Sequence, residues 1–178
     1  MGYEIAGGLG VKMAAPDRDV IVLVGDGSYL MMAQELVTAV QEGIKLTVVL
    51  VQNYGFASIG SLSESIGSER FGTSLRTRDP ATGRLDGDVV QLDLAANAAS
   101  LGVSAIRATT VTELSDALVA ARSASGSVLI QIETDPLVPA PSSDSWWDVP
   151  VAEASELEPT LRARTAYEEA KMHQRRYW

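Results

Sequence analysis

Asp19-Val20-Ile21-Val22-Leu23-Val24 runs straight into Gly25-Asp26-Gly27-Ser28, and Lys45 to Val51 then repeats the apolar run and ends on Gln52-Asn53. Both runs are continuous, rich in β-branched residues and too short for a core helix, which predicts strands buried on both faces. Between them Ala33, Leu36, Val37 and Val40 fall at helical spacing over Met31 to Gln41, and Gly43 supplies a stop. Strand, turn, helix and strand in that order form the repeating unit of a parallel sheet.

The alternation continues outward. Upstream, Gly2 to Ala14 is small and apolar with Ile5, Leu9 and Met13 four apart, which predicts a tightly packed helix broken at Pro16-Asp17. Gly7-Gly8-Leu9-Gly10 belongs to that helix and is no dinucleotide fingerprint, because no strand precedes it. Downstream, Leu92 to Leu101 and Val111 to Arg122 read as helices, and Val103 to Ala108 and Val128 to Glu133 as strands. The fold class is therefore α/β: a doubly wound parallel sheet with helices on both faces. Residues 1–136 make one binding domain, and 137–178 an arm and a terminal helix.

Two stretches break the pattern. Asn53 to Val89 is rich in Gly, Ser, Arg and Asp and reads as a long irregular segment, a length usually associated with function. After Pro136 come Pro139, Pro141 and Pro150 with Ser142, Ser143 and Ser145, an extended arm carrying Trp146 and Trp147. Leu157 to Trp178 is a charged helix whose apolar stripe, Ala163, Tyr167 and Ala170, is narrow. Docking of arm and helix on a partner surface or on their own domain are equally open at this level.

Composition excludes several classes. A net charge of −9 lacks the basic patch of a nucleic-acid-binding protein. No apolar run approaches the roughly 20 residues of a membrane span, and no secretion signal is visible. The absence of cysteine removes disulfides and thiolate metal sites and suits a cytoplasmic protein. A triad mechanism would rest on the single histidine, His173, close to the chain end.

The chemistry concentrates at the two strand ends. Asp26 and Asn53 fall on one carboxyl edge, where ligands of open α/β sheets bind. Gly27 permits close approach of a phosphate, and the start of the next helix aims N–H groups at it. A carboxylate and an amide oxygen are hard ligands of the kind Mg²⁺ prefers.

Gly25-Asp26-Gly27 followed by Asn53 at the next strand end resembles the cofactor motif of thiamine-diphosphate-dependent enzymes. That resemblance implies Asp26, Asn53 and the main-chain oxygen of Gly55 as Mg²⁺ ligands. It implies Gly25, Gly27, Ser28 and Phe56 around the diphosphate, and Met1 as the apolar wedge that bends the cofactor. Gln52 departs from the Asn that the family commonly has before its ligating Asn.

Asn53-Tyr54-Gly55-Phe56-Ala57-Ser58-Ile59-Gly60, Gly67-Ser68-Glu69-Arg70-Phe71-Gly72-Thr73 and Gly83-Arg84-Leu85-Asp86-Gly87-Asp88 resemble the inositol-catabolic branch, the 3D-(3,5/4)-trihydroxycyclohexane-1,2-dione hydrolases. That branch implies hydrolysis of a carbon–carbon bond in a polyhydroxylated cyclic diketone, giving 5-deoxyglucuronate, with Ser58, Arg70 and Arg76 as candidate substrate contacts. It also implies that the activating glutamate lies on a separate pyrimidine-binding domain. No catalytic residue is then expected in this chain, which should be inactive alone and should assemble as a dimer or larger. Half of an acetolactate-synthase-like enzyme, and a non-catalytic binding domain, are the competing readings.

Overall fold

A computed structural model describes residues 1–138, 141, 146 and 148–175. Pro139, Ser142, Ser143, Ser145, Trp147 and the last three residues of the expected terminal helix lie outside the described residues. Strands β1 (Ile21–Gly25), β2 (Thr47–Gln52), β3 (Ser104–Ala108) and β4 (Val128–Glu133) form one sheet in the order β1-β2-β4-β3. Every pairing is parallel, with Gly25 opposite Val51 and Gln52 opposite Glu133. All four strands thus end on one edge.

Helices cover both faces. On one lie α1 (Glu4–Ala14), α2 (Asp26–Met32), α3 (Glu35–Gln41) and α5 (Leu94–Ser100). Their contribution to the larger core is Ile5, Leu9, Tyr29, Leu36, Ala39, Leu94 and Ala98, packed on Val22, Val24, Val48, Leu50 and Leu129. On the other face α6 (Val111–Ser123) packs Ala117 and Ala121 against Ala108, Val128 and Ile130. The reading of β1 as buried on both faces is corrected here. Its inner residues Val22 and Val24 are buried, but Ile21 is 64% and Leu23 68% exposed, because β1 is an edge strand and α6 packs on the strands beyond it.

Two further differences are local. The helix expected from Met31 to Gln41 is two helices, and the first begins at Asp26, so Gly25-Asp26-Gly27-Ser28 is a strand end running into a helical turn. The segment expected to be irregular contains α4 (Ala57–Ser65). Its glycine and four serines carry low helix propensity, so the helix depends on its contacts. Gly60 packs its Cα against Thr73: a Cβ there would stand 2.7 Å from Thr73 Oγ1.

A buried polar link crosses the sheet. Gln131 Nε2 donates to Gln52 Oε1 at 2.7 Å, Gln52 Nε2 donates to Leu92 O, and Gln131 Oε1 accepts from Ala95 N. Each amide of this pair is engaged, which is what makes two glutamines tolerable in a core.

The terminal helix α7 (Glu158–Met172) docks on its own chain. Thr160 is buried, and its hydroxyl donates to Gly67 O at 2.7 Å, while Arg164 donates to Val151 O. Gly67 has φ +79°, and a Cβ there would lie 2.4 Å from Pro159 O. Gly67→Ala should therefore release α7, read as faster hydrogen exchange across residues 158–172 with the sheet unaffected. Unchanged exchange would show that the helix is held elsewhere.

Tyr29 gives a pH test of the core. It is fully buried, donates to Asn97 Oδ1 at 2.7 Å, and burial pushes its phenol from 10.0 up to about 12. The folded chain keeps a proton that the unfolded chain loses, so stability is complete below pH 10 and falls as pH rises towards 12. Denaturation at pH 9 and pH 11 should show this as a loss of about 1 kcal/mol that Tyr29→Phe removes.

Candidate functional site

The site is built where β1 and β2 end. Asp26 opens α2 directly after β1 and is 1% exposed. Its Oδ2 accepts three successive backbone N–H groups, from Asn53 at 3.0 Å, Tyr54 at 2.5 Å and Gly55 at 3.2 Å. Among the described residues its Oδ1 accepts only Gly27 N, at 2.8 Å, and so keeps a lone pair free. One carboxylate therefore ties the end of β1 to the turn after β2.

That turn is strained. Tyr54 has φ +60°, unusual for a residue with a bulky side chain. Gly55 has φ +154°, and a Cβ on it would stand 2.3 Å from Thr73 O. Gly55 also pairs with Ser74 in an isolated bridge, and Phe56 N donates to Thr73 O at 2.7 Å. The segment around Thr73 thereby braces the turn from behind. Burial, followed by the neighbouring Glu133 carboxylate and then the charge of Asp26, raises the Tyr54 phenol above its ordinary value.

Gly27 is required for a reason beyond the one its motif suggests. A Cβ there would lie 2.5 Å from the Phe56 ring and 3.1 Å from Gly55 O. Phe56 and the Gly55 carbonyl are thus brought against the Asp26–Gly27 backbone. Gly25 has open space where its Cβ would be.

Asn53 supplies the decisive detail. Its Oδ1 is buried and has no hydrogen-bond partner among the described residues. A buried acceptor without a partner costs about 1–3 kcal/mol unless something satisfies it. Asn53 and Gly55 are both tied by their N–H groups to the Asp26 carboxylate, so this turn and Asp26 together carry an amide oxygen, a carboxylate oxygen with a free lone pair and a main-chain carbonyl, hard oxygen donors of the kind that fits a divalent cation such as Mg²⁺. No group of three His, Cys, Asp or Glu side chains gathers to hold a metal among the described residues.

Residues 1–132 match the sequence profile of the family described as thiamine pyrophosphate enzyme, C-terminal TPP binding domain. The chain belongs to that family. Over 168 residues it is 42% identical to a 3D-(3,5/4)-trihydroxycyclohexane-1,2-dione hydrolase of Bacillus thuringiensis (strain Al Hakam), covering 94% of this chain and 26% of the relative. Over 155 residues it is 44% identical to a protein of the same name from Bacillus cereus (strain AH820), covering 87% of this chain and 24% of the relative. The chain thus spans about a quarter of the length of these relatives. Among solved structures it resembles the Rhodococcus jostii RHA1 thiamine diphosphate-dependent 4-hydroxybenzoylformate decarboxylase, with a TM-score of 0.61 and 26% identity. That match covers 76% of this chain and 23% of the other.

The remaining candidate residues lie at different distances from this centre. Ser28 follows Gly27 in the first turn of α2, and Met1, before α1, is 68% exposed. Ser58 lines an open cleft of about 1200 Å³ that also has Asn53 in its wall. Arg70 is already engaged, donating to Glu64 Oε2 at 2.7 and 2.9 Å and to Pro136 O. Arg76 lines a separate cavity of about 280 Å³ and donates to Gly87 O. Ser61, Thr134 and Asp135, which the sequence reading did not single out, line the same cleft as Ser58 and Asn53. Recognising α4 as a helix would have exposed Ser61, three residues after Ser58.

Removing the Asp26 carboxylate strips its acceptor from four backbone donors. Asp26→Ala should destabilise the chain by about 2–4 kcal/mol in urea titration, given the cost of orphaning buried donors. A loss below 0.5 kcal/mol, the range of an ordinary surface substitution, would mean that the turn holds without it.

Proposed function

We propose that this chain is the diphosphate- and Mg²⁺-binding part of a thiamine-diphosphate-dependent hydrolase that opens 3D-(3,5/4)-trihydroxycyclohexane-1,2-dione at a carbon–carbon bond. The observation that carries the reading is the buried, unpartnered Asn53 Oδ1 beside Asp26 at the carboxyl edge of the sheet. The identity of 42–44% with hydrolases of that name supports the substrate.

In this reading Asp26 Oδ1, Asn53 Oδ1 and the Gly55 carbonyl hold the metal, and Gly25, Gly27 and Ser28 lie along the diphosphate. Phe56 closes the site on the Gly27 side. The bound cofactor supplies a carbon nucleophile and an electron sink for cleaving a bond next to a ketone. This chain's own part is to fix the charged end of the cofactor. The Asp26 hydrogen bonds form the site in advance, so little reorganisation accompanies binding. Met1 stands at the position of the wedge against the cofactor's bend. The pyrimidine-binding domain and its activating carboxylate are assigned to the rest of a longer polypeptide or to a partner subunit, in an assembly of at least two copies.

Calorimetry tests the site directly. Thiamine diphosphate should bind only with Mg²⁺, and Asn53→Leu should weaken that binding at least about tenfold, or 1.4 kcal/mol, while leaving thermal stability intact. Binding that is indifferent to Mg²⁺, or equal in Asn53→Leu, would refute the assignment.

A further inference from the structure

Among the described residues two buried side-chain oxygens have no hydrogen-bond partner, Asn53 Oδ1 and Glu4 Oε2. Asn53 follows β2, and Glu4 is the first residue of α1. Around Glu4 the chain is open: Met1 is 68% and Tyr3 74% exposed, yet this one carboxylate oxygen is covered. Leaving a carboxylate without a donor is costlier than leaving an amide, because charge is harder to desolvate than a dipole.

The fold puts Glu4 at the same edge as Asp26 and Asn53. Residues 15–20 join the end of α1 to the amino end of β1, so α1 runs back along that strand and starts at its carboxyl end. Gly8 fixes the level: a Cβ there would stand 2.3 Å from Val22 Cγ2. Glu4 lies one turn earlier on the same helix face. Four helical residues rise about 6 Å and two strand residues about 6.6 Å, which sets Glu4 level with Val24, next to Gly25 and Asp26. The Cα–Cβ bonds of a helix tilt toward its N-terminus, so the Glu4 side chain leans further toward the edge. Gly2, at φ +79°, rests this segment on α2, where a Cβ would stand 3.0 Å from Met31 Cβ.

The two ends of thiamine diphosphate are opposite in charge: a diphosphate at one, a thiazolium cation at the other. Asp26, Asn53 and Gly55 suit a metal-bridged diphosphate. A further carboxylate facing the phosphates would repel them, whereas a cation offers it the partner that the described residues do not. We propose that Glu4 is the counter-charge for the cationic, organic half of the cofactor, and that it makes the edge selective for a positively charged diphosphate ester. This rests on the cofactor reading above, in which Met1, three residues before Glu4, stands at the cofactor's bend.

The test is calorimetry on this chain with Mg²⁺ and three probes: thiamine diphosphate, its thiazolone analogue with an uncharged ring, and inorganic pyrophosphate. Glu4→Gln should weaken thiamine diphosphate about tenfold, the size of one charge-assisted contact, and leave the other two within about twofold. Glu4→Ala should leave the ligand-free chain at least as resistant to urea, since it removes a buried oxygen that nothing in the chain satisfies. Equal weakening of all three probes, or a clear loss of stability in Glu4→Ala, would show a structural role and overturn the inference. Thiamine diphosphate bound equally by wild type and Glu4→Gln would overturn it too, with the cofactor reading intact. A wild-type chain that bound neither thiamine diphosphate nor pyrophosphate would overturn both.

Discussion

Everything at the functional edge depends on the Asp26 carboxylate accepting four backbone N–H groups. Three of them belong to consecutive residues of a turn that contains a left-handed tyrosine and a glycine pressed against Thr73 O. Such a turn is unfavourable by itself, and a buried charge is unfavourable by itself. Each removes the other's penalty: the N–H groups solvate the carboxylate, and the carboxylate holds the turn. The result leaves Asn53 Oδ1, next to that hub in the chain, without a hydrogen-bond partner among the described residues.

The same arrangement connects the parts of the domain. Gln52 and Gln131 join the ends of β2 and β4 one residue away from the site, and Leu92 and Ala95 complete their hydrogen bonds. The long segment after Phe56 is braced on the strained turn at Gly55 and Thr73, and α7 is fastened to that segment at Gly67. Binding surface and supporting structure therefore share residues. The cleft wall formed by α4 is positioned by contacts that also keep Asn53 where it is.

Much of this was legible in the sequence, and for physical reasons. Continuous β-branched runs, helical spacing with a glycine stop, and Asp and Asn at successive strand ends are local signals, and a parallel sheet converts them into a shared edge. What escaped was of two kinds. Helix α4 carries four serines and a glycine within nine residues, so neither propensity nor a strong apolar stripe announces it. The exposed outer face of β1 follows from its position at the sheet edge, which no property of Ile21 or Leu23 encodes.

By itself, then, the sequence determined the sheet, its connectivity class and the pair Asp26 and Asn53, because those depend on residue type and spacing. Only the tertiary structure decided that Asp26 is a hub for the turn after β2, that Gly27 is glycine because Phe56 packs on it, and that Arg70 is already spent on Glu64. Those facts concern which groups, distant in the chain, reach one another first, and packing alone settles that competition.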